Sequence, residues 1–196
     1  MHSSDRTLIG AHLSGDSEAF ETVVRRYGPA VYGFLLNMVK DTHKTEDLFQ
    51  DTFQKACQKA GDFRGDKLKS WILAIAANTA INSFRKEQRN RTVSLRQSSF
   101  CEDGRHCSSI ENVVCGTEGN PAGIVELEEK RTMVRDALMR LPEKQRAALV
   151  LSYYQKLTYL EIAGAQGCSV GTVKTNIFRA LKRLAVLLPD GGEGQI

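Results

Sequence analysis

The densest run of chemically capable side chains lies near the C-terminal end of the chain. Thr172, Lys174, Thr175, Asn176, Phe178, Arg179, Lys182 and Arg183 fall within three helical turns, and no acid occurs from Lys174 to Leu188. Hydroxyl, amide and guanidinium groups can bond base edges, and cationic groups can neutralise phosphates. A basic solvated helix is the ordinary alternative, so the preceding residues decide. Thr158-Tyr159-Leu160-Glu161 fits a capping box, in which the Thr158 hydroxyl and the Glu161 carboxylate satisfy orphan amides. Gly167-Cys168-Ser169 then supplies a turn, with glycine able to take a backbone conformation that other residues adopt less easily. A short helix, this turn and a longer helix from Val170 to Leu187 make a helix-turn-helix, whose second helix enters the DNA major groove. Leu160, Ile162 and Ala163 are expected to pack inward on the first helix, and Val173, Ile177 and Leu181 on the second. Gln166 stands where an apolar residue would help that packing.

No comparable cluster assembles an active site. His2, His12, His43 and His106 are scattered, and neither a Gly-rich phosphate loop nor a nucleophile elbow occurs. Cys101, His106, Cys107 and Cys115 equal a zinc ligand set in number, but their spacing is irregular and lacks a paired C-x-x-C. Free thiols are expected, with no metal, no cofactor and no enzymatic activity.

The elements that must carry these residues read as helices throughout. Ser17 is the expected N-cap of a first helix bearing Phe20, Val23, Val24 and Tyr27. Gly28-Pro29 is expected to stop it and start a second, through Val31, Tyr32, Phe34, Leu35 and Met38. Thr45 should cap a third, with Leu48, Phe49, Phe53 and Ala56 on one side. A fourth runs from about Leu68 to Arg89 and buries Trp71, Ile72, Ile75, Ala76 and Phe84. Later, Ile124 to Arg140 carries Leu127, Met133, Val134, Ala137 and Leu138. Pro142 suits the first position of the next helix, which continues through Ala147, Leu149, Val150 and Tyr153.

Between these groups, Gln97 to Gly123 holds Ser98-Ser99, Gly104, Ser108-Ser109, Gly116, Gly119 and Asn120-Pro121 without a sustained apolar period. So long a loop argues for a domain boundary. The chain of 196 residues, 41% hydrophobic and 26% charged, is ordinary globular material, which excludes a collagen, a rod and a fully disordered chain. Its apolar runs fall short of the ~20 residues of a membrane span, and its first residues lack an apolar signal core. Five cysteines, an odd number, suit a reducing cytosol better than a disulfide framework. Net charge is +4, with basic blocks on either side of a stretch, 93 to 125, that carries 2 cations and 4 acids. A cytoplasmic location follows as the expectation.

The residues also resemble a known family. Leu160-Glu161-Ile162-Ala163 with Ser169-Val170-Gly171-Thr172-Val173-Lys174-Thr175 is similar to the last DNA-binding region of extracytoplasmic-function (ECF) sigma factors, and Leu141-Pro142-Glu143-Lys144-Gln145-Arg146 to its lead-in. Thr45-Glu46-Asp47-Leu48-Phe49-Gln50-Asp51-Thr52-Phe53 resembles the family's polymerase-binding helix. Phe63-Arg64-Gly65 with Trp71-Ile72-Leu73-Ala74-Ile75-Ala76-Ala77-Asn78 resembles its promoter-melting region. The family usually has Trp where this chain has Cys57, which implies looser packing there, and often has Asp where it has Asn82.

The resemblance implies an all-α fold of two small helical domains, a sigma region 2-like bundle and a sigma region 4-like helix-turn-helix, joined by a flexible linker. Its parts are an N-terminal extension (1–16), region 2 (17–92), linker (93–124), region 4 (125–188) and a disordered tail (189–196). Core RNA polymerase would be met by Asp47, Leu48, Gln50, Asp51 and Gln54. The −10 element would be met by Arg64, Lys67, Lys69, Asn78, Arg85, Lys86 and Arg89. The −35 element would be met by Ser169, Thr172, Lys174, Thr175, Phe178, Arg179, Lys182 and Arg183. Trp71 is expected in the core rather than stacked on a base. Promoter DNA and core polymerase are the implied partners, with an anti-sigma factor and without membrane insertion. Two rival readings are a helix-turn-helix regulator not stably bound to polymerase and a helical adaptor for acidic proteins.

Overall fold

The computed structural model describes residues 4–65, 67–94 and 131–188, and all regular elements among them are helical. They are α1 (Asp5–Leu13), α2 (Ser17–Val39), α3 (Thr42–Gln58), a 3-10 turn (Ala60–Asp62), α4 (Leu68–Ser94) and α5 (131–139). α6 (Glu143–Tyr153), α7 (Tyr159–Gln166) and α8 (Val170–Leu187) follow. The expected linker with Cys101, His106, Cys107 and Cys115, the start of α5 with Leu127, and the tail from 189 onward lie outside the described residues.

Three sequence expectations for the first half are corrected. Residues 5–13 form a helix rather than an irregular extension, because Leu8 and Ile9 bury against α2 and Asp5 binds Arg26 Nη1 at 2.8 Å and Tyr27 OH at 2.6 Å. Asp16, not Ser17, caps α2, its Oδ1 accepting the N–H groups of Glu18 and Ala19 at 2.9 and 3.3 Å. α2 then passes through Gly28-Pro29 without a break. Proline removes one N–H from the ladder, yet Val23 before it and Val31, Phe34, Leu35 and Met38 after it share one core, and their burial outweighs the lost bond. Gly28 contributes by being small, since a Cβ there would lie 3.5 Å from Phe49 Cζ.

Asp41, not Thr45, caps α3. Its Oδ1 accepts the Lys44 N–H at 2.9 Å, while Thr45 is buried one turn inside the helix and gives its hydroxyl to the Asp41 carbonyl at 2.6 Å. Leu48, Thr52, Phe53 and Ala56 face inward, and α4 closes the bundle with Leu68, Ile72, Leu73, Ala76, Ala77 and Ala80. Trp71 is half-buried against Phe63, ring centroids 5.5 Å apart.

In the second half, Leu138, Val150, Leu151, Ile162, Val173, Ile177 and Ala180 form the core of α5 to α8. Pro142 sits at the N-cap of α6, one residue before the position expected. Leu160 and Leu181 do not pack inward as expected, being 74% and 40% exposed. The face that Ile162, Ala163 and Ala165 occupy fills the hydrophobic stripe of α7 and leaves Leu160 outside it. Met133 is likewise exposed. The two groups of helices touch: α7 packs on α4, and α6 on α2 and α4.

Candidate polymerase and nucleic-acid interfaces

The helix-turn-helix is built as its spacing predicts. Thr158 Oγ1 accepts the Glu161 N–H at 3.4 Å, and Glu161 Oε2 accepts the Thr158 N–H at 2.8 Å and the Thr158 hydroxyl at 2.6 Å. These bonds, the Thr158 hydroxyl first, hold the Glu161 carboxyl at about 2, well below its ordinary range. Gly167 ends α7 in the left-handed region at φ 60°, where a side chain would be strained. Gln166 is half-buried and donates to the Lys144 carbonyl at 3.1 Å, so its amide ties the turn to α6.

All eight residues expected on the −35 face are exposed on or just before α8, but they are not equally available. Ser169 caps α8 by accepting the Thr172 N–H at 3.1 Å, and the Ser169 and Thr172 hydroxyls lie 2.9 Å apart. Thr175 gives its hydroxyl to the Gly171 carbonyl at 2.9 Å. Lys174, Arg179, Lys182 and Arg183 make no ion pair among the described residues, and Phe178 is among the most exposed aromatics. This is a cationic surface with one ring at its centre.

On α3, Asp47, Gln50, Asp51 and Gln54 line one exposed ridge, and Asp51 reaches Lys55 at 3.7 Å. Leu48 does not join them. It is 5% exposed in the core, because it lies on the opposite side of the helix with Thr52. Cys57 does not leave the gap expected where the family has Trp, since the His12 ring of α1 fills it, with Nε2 3.4 Å from Sγ and its ring 4.8 Å from Phe20.

The seven residues expected on the −10 face separate into two sets. Arg64, Arg85, Lys86 and Arg89 are exposed. Lys67, Lys69 and Asn78 instead point at the second half of the chain. Lys67 Nζ lies 3.1 Å from Glu161 Oε1, Lys69 Nζ donates to the Gln155 carbonyl at 3.1 Å, and Asn78 Nδ2 donates to the Ala165 carbonyl at 3.0 Å. Ser70 adds a bond to Glu161 Oε1 at 2.9 Å.

Sequence reasoning missed three residues of this seam. Glu161 reads only as a helix cap, Gln155 as a loop residue, and Arg146 as part of a lead-in. Gln155 is buried and its amide donates to the Ala30 carbonyl at 3.0 Å. Arg146 is 4% exposed, its guanidinium 4.8 Å from the Phe84 ring centroid and its Nη1 3.0 Å from Met139 Sδ, with Nε unpaired. Burial pushes its pKa down, partly offset by Glu143. No signal in one sequence pairs residues so far apart.

An apolar groove of about 300 Å³ also opens between α5, α6 and α8, lined by Val134, Leu138, Leu149, Tyr153, Leu181 and Leu184. The exposure of Leu181 belongs to this groove. Among the described residues, no group of His, Cys, Asp and Glu can hold a metal ion and no helix is long and apolar enough to cross a membrane.

Comparison with known proteins agrees with this arrangement. Residues 23–90 match Sigma-70 region 2 and residues 131–184 match Sigma-70, region 4. The chain is 32% identical to the RNA polymerase sigma-H factor of Pseudomonas aeruginosa over 90% of its own length and 89% of that protein. It is 33% identical to the ECF RNA polymerase sigma factor SigM of Bacillus subtilis, over 87% of this chain and 96% of that one. Among solved structures it is similar to the sigma factor RpoE of Bartonella quintana, crystallised with the anti-sigma factor NepR, with a TM-score of 0.64 and 28% identity over 88% of this chain and 98% of that one.

Proposed function

From the premise that this chain belongs to the ECF RNA polymerase sigma factors, which confer promoter-specific initiation on RNA polymerase, we propose how its surfaces divide that work. Residues 17–92 form the unit that docks on core polymerase and meets the −10 element, and residues 125–188 the unit that meets the −35 element. The exposed ridge of Asp47, Gln50, Asp51 and Gln54 offers carboxylates and amides to basic groups on the polymerase, where charge-assisted bonds to Arg are strong. Arg64, Lys67, Lys69, Asn78, Arg85, Lys86 and Arg89 follow the opened strand, Asn78 offering both a donor and an acceptor to a base edge. Flipping a base from the stack costs a few kcal/mol, which cations along α4 help to offset through the backbone.

The observation that carries the reading is the solvated, acid-free face of α8 on a fully capped helix-turn-helix. Nothing in that face does chemistry; the polymerase supplies it, and the chain works in the cytoplasm beside it. The relative of known structure was crystallised with an anti-sigma factor, and we assign a partner of that kind to this chain as well. Run-off transcription tests the reading: core polymerase with this protein should give a discrete transcript that core polymerase alone does not. Absence of any added transcript across a library of genomic promoters would leave the helix-turn-helix regulator as the better reading.

A further inference from the structure

We propose that the chain masks its own −10 surface: α7 and the α6–α7 connection close over the start of α4 through a latch centred on Glu161. This rests on the assignment of Lys67, Lys69 and Asn78 to the −10 surface, and its structural part can be tested without that assignment.

The contacts are specific. One carboxylate serves two purposes, with Oε2 spent on the Thr158 cap and Oε1 facing Ser70 at 2.9 Å and Lys67 at 3.1 Å. The next two contacts use backbone carbonyls of the second half, Gln155 for Lys69 and Ala165 for Asn78. The Gln155 side chain crosses the other way to the Ala30 carbonyl of α2. Three of seven −10 residues are therefore occupied by the chain itself. The α8 face and the α3 ridge stay open. A closed chain could thus dock through its ridge while unable to engage an opened strand.

The seam is also built to release. Lys67 is 70% exposed, and an ion pair so close to water contributes little. Arg146 is sealed against Phe84 with Nε unpaired, and the side-chain oxygens of Gln145 and Gln166 are buried without a partner nearby. Buried polar groups without partners disfavour the state that buries them. Closure is accordingly weak, polar and reversible, as interfaces between domains of one chain usually are.

Amine footprinting of the full-length chain, without polymerase or DNA, reads the latch directly. Lys69, whose Nζ is held by the Gln155 carbonyl, should react with an N-hydroxysuccinimide ester several-fold more slowly than Lys182, which is exposed on α8. Glu161→Gln keeps an oxygen acceptor for the cap and removes the charge facing Lys67. It should raise the Lys69 rate roughly two- to fivefold, the range expected for one partly exposed pair, with helicity and the Lys182 rate unchanged. Lys67→Glu lies before α4 and touches no cap of α7; by setting like charges face to face it must produce the same rise. Equal wild-type rates at Lys69 and Lys182, or no rise in either folded variant, would overturn the latch. Failure of run-off transcription would instead remove the −10 assignment and leave the seam standing.

Discussion

Replacing Thr158 by Val tests the capping box with the least disturbance, because the side chain keeps its shape and branching and loses only the hydroxyl. That hydroxyl accepts the Glu161 N–H at 3.4 Å and donates to Glu161 Oε2 at 2.6 Å. The change leaves one helix N–H without its partner and removes the leading cause of the low Glu161 pKa. Loss of an N-cap side chain costs about 1 kcal/mol, up to about 2. For a protein of this size each kcal/mol moves the midpoint by roughly 2–4 °C, so a fall of about 3 °C is expected at pH 7. The charge-linked part has a definite pH signature. A carboxyl held at about 2 in the folded chain, against 4.5 ordinarily, stabilises the fold fully above 4.5 and loses that contribution as pH falls toward 2. Thr158→Val raises the folded pKa toward its ordinary value, so the gap between the two proteins should be full at pH 7 and narrower at pH 3.5. Thermal unfolding followed by circular dichroism at both pH values measures it. Equal midpoints at pH 7, or a gap undiminished at pH 3.5, would refute the claim that this box holds α7 through an ionised carboxylate.

Three further outcomes are expected. Asp47→Lys with Asp51→Lys should weaken capture of core polymerase in a pull-down titration while circular dichroism stays unchanged, since both sites are exposed. Phe34→Ala, at a fully buried site, should cost about 3–5 kcal/mol in urea unfolding, whereas Leu160→Ala should stay within about 0.5 kcal/mol. On promoter DNA, Arg179→Ala should lose about 1–3 kcal/mol and relax preference at one base position, whereas Lys182→Ala should weaken all sequences alike and lower the salt slope by about one; binding of the full chain over a salt series separates them.

Local chemistry was legible in the sequence wherever one segment determines it. The Thr158 capping box and the Gly167 turn need only nearby residues, and both are present as read. Helix boundaries were less legible because several residues compete for each cap. Asp41 and Asp16 win over Thr45 and Ser17, the former pair carrying the carboxylates that reach free N–H groups. Gly28-Pro29 misleads because a proline signal is local, whereas burial on both sides of it is not. The sidedness of Leu48 was readable, since it shares the apolar side with Phe53; adding it to the polymerase ridge set family likeness above helical geometry. The contact between the two halves was not readable at all. Glu161 and Lys67 lie far apart in sequence, and only the folded chain sets them 3.1 Å apart.

The distribution of free polar atoms narrows what α8 can read on the proposed function. Ser169, Thr172 and Thr175 already use their hydroxyls, on the N-cap, on each other and on the Gly171 carbonyl. Each retains lone pairs, so these hydroxyls can accept bonds, but donation to a base edge would break a bond that holds the start of the helix. Lys174 and Arg179 carry donors with no competing ion pair among the described residues. They lie five positions apart with the Phe178 ring between them, and residues three or four apart are neighbours on a helix. Only the guanidinium of Arg179 offers the planar fork that matches two acceptors on one guanine, whereas Lys174 acts as a point charge that phosphates satisfy equally well. Direct base reading by this helix therefore concentrates on Arg179, with Phe178 adding apolar contact to base or sugar, and the hydroxyl residues act mainly by keeping the helix start rigid.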